Sequence, residues 1–341
     1  MKIIQVGSGG WAKGWLEFIH ADPDCELTAL VSRGGSSLEE AKARYALEDS
    51  RCFGDFSQAL KLDCDVVIIA LPHRLHLEYA IEAVRAGKNV LIEKPLCESM
   101  EDAVHFAEFM HGRQERAWVS QNFRFRKPLW QVKASLGPTG IGTLQWADVS
   151  LRLGMSGRRD DPAAAWQRVS WRQEQASLLF LESAIHHFDM MRFLSGSNAS
   201  SVYATAWTPD WGGTDTPLST MAVLEFESGF KASYSASIRS IGLETGWQGN
   251  WLLQTDAGAV LWERGGEARL EMGDEAPGEL AEDFYFAGQD RSGVLNELKR
   301  QLQGEPGAVP DVKDHLNSLA ISFAALRSMK EQRKILLSEI F

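Results

Sequence analysis

The sequence predicts an α/β fold: an N-terminal domain built on a parallel sheet, followed by an α+β domain with a large, open, mostly antiparallel sheet. Over the first 120 residues, short apolar segments alternate with segments of helical periodicity, as in consecutive βαβ units. From residue 144 onward, strand-like segments follow one another across short turns, which is typical of an antiparallel meander.

The chain length agrees with this two-part organisation. Its 341 residues correspond to about two domains at roughly 150 residues each. We expect residues 1–122 to form the first domain and residues 123–341 to form the second.

Charge and cysteine content exclude several classes of protein. The chain has 35 Lys and Arg against 46 Asp and Glu, a net charge of −11, so we expect no nucleic acid and no anionic membrane as partner. The sequence contains no stretch of about 18 apolar residues, so we expect no membrane span. The N-terminal residues do not have the pattern of a secretory signal. The four cysteines form no CxxC and no zinc spacing. We therefore expect a cytoplasmic protein without a metal site.

A glycine-rich segment follows the first apolar strand. Residues 3–6 lead into Gly7-Ser8-Gly9-Gly10-Trp11-Ala12, a GxGxxA variant of the dinucleotide fingerprint. The first glycine permits a tight turn, the second lets the backbone approach a pyrophosphate, and the alanine allows close packing of helix on strand. A helix should follow, with one apolar face formed by Trp11, Trp15, Phe18 and Ile19. The segment predicts a dinucleotide-binding Rossmann domain, with cofactor contacts from Gly7, Gly9, Gly10, Trp11 and Ala12.

The residues after the second strand bear on the choice of cofactor. A site that prefers NAD usually has Asp or Glu there to bind the ribose 2′-hydroxyl. This chain has Ser32 and Arg33 after the strand 27–31, and a hydroxyl with a guanidinium suits a 2′-phosphate better. We therefore favour NADP over NAD, with both residues as ligands. The alternative is a solvated Arg33 and an adenosine held by backbone contacts.

Two further strands end in residues capable of ligand chemistry. The apolar strand 65–70 runs into Leu71-Pro72-His73-Arg74-Leu75-His76, and the strand 89–92 runs into Glu93-Lys94-Pro95. In a parallel sheet, ligands bind beyond the carboxyl ends of the strands. A charged pair at such an end therefore indicates a functional site.

At this point the sequence resembles the Gfo/Idh/MocA family of oxidoreductases, named after glucose–fructose oxidoreductase, inositol dehydrogenase and a rhizopine-catabolism protein. Four signatures occur in the family's order. They are Gly7-x-Gly9-x-x-Ala12, Leu71-Pro72-x-x-x-His76, Gly87-Lys88-x-Val90-x-x-Glu93-Lys94-Pro95, and Glu182-x-x-x-His186-x-x-Asp189.

The resemblance implies NAD(P)-linked oxidation of a secondary hydroxyl on a sugar, a sugar derivative or a cyclitol. It implies catalytic roles for Lys94, His186 and Glu182, where Glu182 stands in the position of the usual Asp. It extends the cofactor set to Leu71, Pro72, His76, Glu93 and Lys94. The substrate set that it implies is Arg124, Trp171, Glu182 and His186. For Arg124, an ion pair at the domain junction is the alternative.

The chemistry of these side chains agrees with that role. Hydride transfer from a carbinol needs a base for the hydroxyl proton and a donor for the developing alkoxide. Histidine has an ordinary pKa of about 6.5, which suits His186 as the base, and the ammonium group of Lys94 can act as the donor. If the segment is helical, Glu182 lies on the same face as His186 and can orient the imidazole or bind a substrate hydroxyl.

Two departures from the family pattern keep other functions open. Glutamate replaces aspartate at Glu182, and residues 175–178 lack the usual glycines. The first alternative is a redox-neutral enzyme in which a tightly bound NAD oxidises a sugar transiently and permits glycoside cleavage. The second is a non-catalytic dinucleotide sensor. The presence of both Lys94 and His186 argues against the sensor.

The C-terminal half supplies the expected antiparallel sheet. Tight turns at Ser228-Gly229 and Asp256-Ala257-Gly258 are expected to join neighbouring strands as hairpins. The resemblance implies that one face of this sheet mediates homo-oligomerisation, as a dimer or tetramer. The predicted strands are 144–153, 201–207, 220–226, 230–238, 250–255 and 259–263.

Overall fold

The computed structural model describes residues 1–154, 178–211, 217–273 and 279–341. It divides the chain into two compact units. The first contains Met1–Phe125 and Ala287–Leu316, and the second contains Arg126–Phe286 and Asn317–Phe341. Trp171, a predicted substrate-binding residue, lies outside the described residues.

The first unit differs from the expected domain because the chain returns to it. Residues 287–316 were expected in the second domain but belong to the first unit. The returning segment extends the sheet, since the backbone N–H of Val119 donates to the carbonyl oxygen of Pro310 at 2.9 Å. This contact joins residues far apart in sequence, and no local pattern predicts it.

The first sheet has six parallel strands in the order β3-β2-β1-β4-β5-β6, which is the doubly wound arrangement of a Rossmann fold. The predicted α/β class is therefore confirmed. The strands are β1 (Lys2–Val6), β2 (Glu26–Val31), β3 (Cys52–Phe53), β4 (Val66–Ile69), β5 (Asn89–Glu93) and β6 (Ala117–Ser120). The helices of this part are α1 (Ala12–Ala21), α2 (Ser36–Tyr45), α3 (Phe56–Ala59), α4 (His76–Arg85) and α5 (Met100–Met110).

Helix α1 buries only part of the predicted apolar face. Trp15 and Ile19 are buried as expected, and Leu16 is buried beside them. Trp11 is 54% exposed, because it precedes the helix as its N-cap residue and does not belong to the helical face. The prediction that Trp11 forms part of the apolar helix face was therefore wrong, and its predicted contact with cofactor stays a prediction.

The second unit contains an eight-stranded sheet in the order β13-β12-β11-β7-β10-β9-β8-β14. Among the described strands, β7 and β10 pair in parallel and every other neighbouring pair is antiparallel, so the mostly antiparallel sheet is confirmed. The strands are β7 (Leu144–Arg152), β8 (Ala199–Trp207), β9 (Ser219–Phe226), β10 (Lys231–Ser237), β11 (Asn250–Thr255), β12 (Ala259–Trp262), β13 (Ala268–Glu271) and β14 (Ile335–Leu336).

Side chains of the second sheet alternate between its two faces. Along β9, Ala222 and Leu224 are buried, whereas Met221 and Val223 are more than half exposed. The remaining helices are α6 (Lys127–Ser135), α7 (Ile185–Ser195), α8 (Asp290–Leu302) and α9 (Val312–Glu331). Within the described residues, none of the helices has the length and apolar character needed to span a membrane.

Candidate cofactor site and active site

The glycine-rich turn between β1 and α1 requires glycine at its first position. Gly7 has φ +108°, and a Cβ placed on it would lie 2.3 Å from the carbonyl oxygen of Ala70, the residue that follows β4. A side chain there would therefore clash with backbone. At Gly9, a Cβ would lie 3.4 Å from the hydroxyl of Ser37, so the constraint is milder. These positions agree with a turn shaped for close approach of a ligand to the backbone.

A buried glutamine fixes both ends of this turn. Gln5 is completely buried in β1, and its side-chain amide donates to the carbonyl oxygens of Gly7 and Ala12, each at 2.9 Å. Gln5 was not among the predicted site residues. The available signal was a polar residue inside an apolar, buried strand, since buried polar groups almost always have hydrogen-bond partners.

A second contact connects the turn to the end of β2. The hydroxyls of Ser8 and Ser32 lie 2.8 Å apart, and the backbone N–H of Gly34 lies within 3.4 Å of the Ser32 hydroxyl. Arg33 is exposed beside them. In the part of the chain that the structure describes, it has no hydrogen-bond or ion-pair partner. A hydroxyl and a guanidinium are therefore available next to the turn.

The Glu93 carboxylate at the end of β5 points towards two helices of its own unit. Its Oε1 atom accepts a hydrogen bond from the Trp15 indole at 2.8 Å and lies 3.4 Å from the Arg291 guanidinium. Its Oε2 atom accepts the backbone N–H of Lys94 at 3.1 Å. The cofactor contact predicted for Glu93 stays a prediction, because the structure shows the carboxylate engaged by the protein itself.

His76, at the start of α4, connects two strand ends. It is fully buried, and its ring nitrogens lie 2.9 Å from the carbonyl oxygen of Pro95 and 2.8 Å from that of Leu71. Burial lowers the pKa of His76 to about 4, although both carbonyl oxygens favour the protonated form. Both nitrogens are thus occupied by backbone, and a direct cofactor contact from His76 stays a prediction.

Arg124 forms hydrogen bonds and an ion pair with residues of the first unit. It is 7% exposed, and its guanidinium donates to Asp314 at 2.8 Å and to the carbonyl oxygen of Ala308 at 3.2 Å. This is an ion pair, as in the alternative considered for Arg124. Together with Trp118 it lines a cavity of about 650 Å³. Its proposed contact with substrate stays a prediction.

Glu182 and His186 lie where two kinds of helix meet in the second unit. Leu178–Ala184 is π-helical and Ile185–Ser195 is α-helical, so the segment is helical but not one regular α-helix. The i→i+5 hydrogen bonds of the π-helix widen the turn that contains Glu182, so the predicted common face of Glu182 and His186 stays a prediction. His186 is 7% exposed and Glu182 is half-buried. π-Helical turns within helices occur frequently at functional sites.

Two serines of α9 hold this helical segment. The hydroxyl of Ser322 donates to the carbonyl oxygen of Phe180 at 3.1 Å, and that of Ser318 donates to Asp189 at 2.7 Å. All these contacts lie within the second unit. They fix both the π-helical turn and the helix after it, so His186 is presented from a rigid support.

His187, the neighbour of His186, is a core residue. It is 1% exposed, and its Nε2 atom lies 3.1 Å from the carbonyl oxygen of Trp247. The Tyr234 hydroxyl lies 3.1 Å from its Nδ1 atom. A neutral ring satisfies both contacts, donating from Nε2 and accepting at Nδ1. Burial lowers the pKa of His187 to about 4.

The residues of the first unit fit a dinucleotide. The turn leaves no room for a Cβ at Gly7, and the first turn of α1 contains no acidic residue. A helix N-terminus without acidic side chains favours a phosphate group. Strands β1, β4 and β5 are neighbours and run parallel, so their carboxyl ends lie at the same end of the sheet.

Comparison with known proteins supports the same family. Residues 1–121 match the model of the GFO/IDH/MocA oxidoreductase family with an NAD-binding Rossmann fold, and residues 139–256 match the family's C-terminal domain. The chain is 26% identical to inositol 2-dehydrogenase of Rhizobium meliloti, over 97% of each chain. It is 24% identical to myo-inositol 2-dehydrogenase of Thermotoga maritima, over 100% of this chain and 99% of the relative.

Solved structures show the same fold. An oxidoreductase from Agrobacterium radiobacter, in complex with NAD+, L-tartaric acid and magnesium, superimposes with a TM-score of 0.83 at 18% identity, over 100% of this chain and 99% of that one. The two family models together span well over half of the sequence. The chain therefore belongs to the Gfo/Idh/MocA family of oxidoreductases.

Proposed function

We propose that the protein is an NAD(P)-dependent dehydrogenase that oxidises a secondary hydroxyl of a sugar, a sugar derivative or a cyclitol. The observation that carries this proposal is the position of Lys94. It directly follows β5, at the same end of the sheet as the glycine-rich turn that follows β1. Two relatives over nearly the whole chain are named inositol dehydrogenases, which supports a polyhydroxylated substrate.

Each proposed catalytic residue has a defined task. When bound, the dinucleotide supplies the hydride acceptor. His186 takes the proton of the substrate hydroxyl, and the Lys94 ammonium donates a hydrogen bond to the oxygen as negative charge develops on it. Glu182 orients the His186 ring or binds a neighbouring hydroxyl. The proposal requires Lys94 of the first unit and His186 of the second to act on one substrate.

The proposed cofactor ligands surround the glycine-rich turn, and we favour NADP over NAD. Gly7, Gly9 and the N-terminus of α1 would hold the pyrophosphate. Ser32 and Arg33 would hold the 2′-phosphate through a hydroxyl and a guanidinium. The absence of an acidic residue after β2 supports this choice, since a carboxylate there would repel the phosphate.

We further propose that the second domain, residues 123–341, binds the substrate and forms a homo-oligomer. The outward face of its sheet exposes large apolar side chains at Tyr203, Met221 and Val223, and contiguous exposed apolar surface is typical of an interface. A cytoplasmic location is also proposed, and it is supported by four cysteines that form no disulfide.

A cofactor-reduction screen tests the proposed reaction. The purified protein is incubated with NAD or NADP and a panel of sugars, sugar acids and inositols, and reduced cofactor is measured by absorbance. We expect at least one polyol to give reduction that Lys94→Ala abolishes. Cleavage of a glycoside without net cofactor reduction would contradict the dehydrogenase and favour the redox-neutral reaction.

A further inference from the structure

We propose that Trp15 and Arg291 are positioning residues that hold Lys94 in place through the carboxylate of Glu93. The inference rests on the proposed function, because it assigns a purpose to the fixed position of Lys94. Neither residue belongs to the family signatures described above. Their contacts with Glu93 lie entirely within the first compact unit.

The indole of Trp15 is the first anchor. Trp15 is fully buried in α1, and its Nε1–H donates to Glu93 Oε1 at 2.8 Å. A buried indole needs a hydrogen-bond acceptor, and a charged acceptor strengthens the bond. Because α1 follows the glycine-rich turn directly, this contact connects the proposed pyrophosphate site to the end of β5.

The guanidinium of Arg291 is the second anchor. It lies 3.4 Å from the same oxygen, and the two side chains are only 13% and 9% exposed. It also lies over the Trp15 ring, with 5.3 Å between the guanidinium carbon and the ring centroid. Gly14 leaves room for it, since a Cβ there would approach Arg291 to 3.0 Å. Removing one partner of a buried ion pair is strongly destabilising, because it leaves the other group without a counter-charge.

The anchored carboxylate acts directly on the backbone of Lys94. Glu93 Oε2 accepts the Lys94 backbone N–H at 3.1 Å, while Oε1 is held by the two anchors. On the other side of Lys94, the carbonyl oxygen of Pro95 contacts His76 at 2.9 Å. The lysine is therefore fixed from both sides. Misplacement of a reacting group by about 1 Å can cost about 100-fold in rate, which gives the arrangement a functional purpose.

Three variants separate the anchors from general packing. Trp15→Phe removes the indole N–H and keeps a buried ring, and Arg291→Met removes the charge and keeps a long side chain. Arg291→Lys should restore part of the function because it restores the charge. Lys299→Met is the matched control, since it breaks another ion pair of α8, between Lys299 and Asp22 at 2.9 Å. Trp262→Phe is the second control, because it removes a comparable indole hydrogen bond in the second unit, from Trp262 to the carbonyl oxygen of Gly266.

The readout is the acetylation rate of Lys94 by acetic anhydride, measured by peptide mass spectrometry relative to the exposed Lys61. In the wild-type protein, saturating NADP or NAD should slow labelling of Lys94 by about 10-fold, because the cofactor covers it. Trp15→Phe and Arg291→Met should bind cofactor but lose most of this protection, whereas both controls keep it. With the substrate found in the screen, the kcat of Trp15→Phe and Arg291→Met should fall about 10- to 100-fold, with little change in their KM for cofactor.

The possible results separate the two proposals. Wild-type protection in both Trp15→Phe and Arg291→Met would overturn the positioning role and leave the proposed function intact. If the wild-type protein itself shows no cofactor protection of Lys94, the proposed function fails and the positioning role with it. Should Arg291→Met fail to fold, Trp15→Phe decides by comparison with Trp262→Phe, because both substitutions remove a buried indole N–H and the same side-chain volume.

Discussion

The hydroxyls of Ser8 and Ser32 lie 2.8 Å apart, so the glycine-rich turn and the carboxyl end of β2 are joined by a direct side-chain contact. Ser8 is 5% exposed. In the proposed cofactor complex, this contact places the pyrophosphate turn beside the group that would select the adenosine ribose. Cofactor choice and turn geometry are therefore coupled at one point of the first unit.

Cofactor preference should change when the charge beside this contact changes. Arg33→Ala should weaken NADP binding by about 10-fold or more, since a charge-assisted hydrogen bond contributes about 1.5–3 kcal/mol, and should leave NAD binding nearly unchanged. Ser32→Asp should reverse the preference, because Ser8 can still donate to a carboxylate that repels the 2′-phosphate. Titration calorimetry with NAD and NADP measures the affinity of each variant. Arg44→Ala is the control, because it removes another exposed arginine. An equal loss for NAD and NADP would show that Arg33 does not read the 2′-phosphate.

Substituting alanine in the glycine-rich turn should destabilise the protein strongly at Gly7 and only slightly at Gly10. Gly7→Ala adds a Cβ that would lie 2.3 Å from a backbone oxygen at φ +108°, so we expect a loss of about 3 kcal/mol in unfolding free energy together with loss of cofactor binding. Gly10→Ala adds a Cβ with no atom within 4 Å at φ +50°, and should cost about 1 kcal/mol. Urea unfolding and cofactor titration of both variants test this. Equal effects at the two positions would contradict the steric account.

The local parts of the fold were predictable from the sequence. The strand periodicities, the turn glycines and the mostly antiparallel second sheet follow from patterns within about ten residues of each other. The contacts of Arg291 with Glu93 and of Pro310 with Val119 were not predictable, because each joins residues nearly 200 positions apart. The exposed position of Trp11 was missed because the helix begins one residue later.

The candidate site was predictable only in its residue types. Glycine, lysine and histidine at the ends of predicted strands and helices indicated the chemistry. The partners of those residues were not predictable: Gln5 and Trp15 lie in segments that read as ordinary core. The π-helical turn around Glu182 gives no single-sequence signal, because it depends on how Ser322 contacts Phe180 in the folded unit.

Acid should destabilise the protein through buried His187. Its folded-state pKa of about 4 lies below the usual value of 6.5, so the unfolded chain binds more protons between these two pH values. The stability that the neutral ring contributes is therefore complete above about pH 6.5 and is lost as the pH falls towards 4. At about pH 5 the loss is about 2 kcal/mol.

Urea unfolding at about pH 7.5 and about pH 5 tests this account of His187. His187→Gln can keep one hydrogen bond to Tyr234 or to the Trp247 carbonyl but does not titrate. The drop in unfolding free energy between the two pH values should shrink by about 2 kcal/mol in this variant. An unchanged pH dependence would mean that another group is responsible.

The outward sheet face should control the oligomeric state. Val223 is 52% exposed and lies opposite Tyr203 on the neighbouring strand, so Val223→Lys places a charge in the proposed interface. Leu243→Lys is the control, since Leu243 is 57% exposed but lies outside the strands. Light scattering after gel filtration should show an oligomer for the wild-type and control proteins and a monomer for Val223→Lys. A monomeric wild-type protein, or an oligomer that survives Val223→Lys, contradicts the proposal.

The central claim is that Lys94 and His186 serve one hydride transfer between a polyol and a nicotinamide cofactor. Its most direct test is single-turnover cofactor reduction by the wild-type protein, Lys94→Ala and His186→Asn, with the substrate from the screen. At saturating cofactor, each substitution should lower the rate by at least about 100-fold. Reduction at the wild-type rate in either variant would contradict the account.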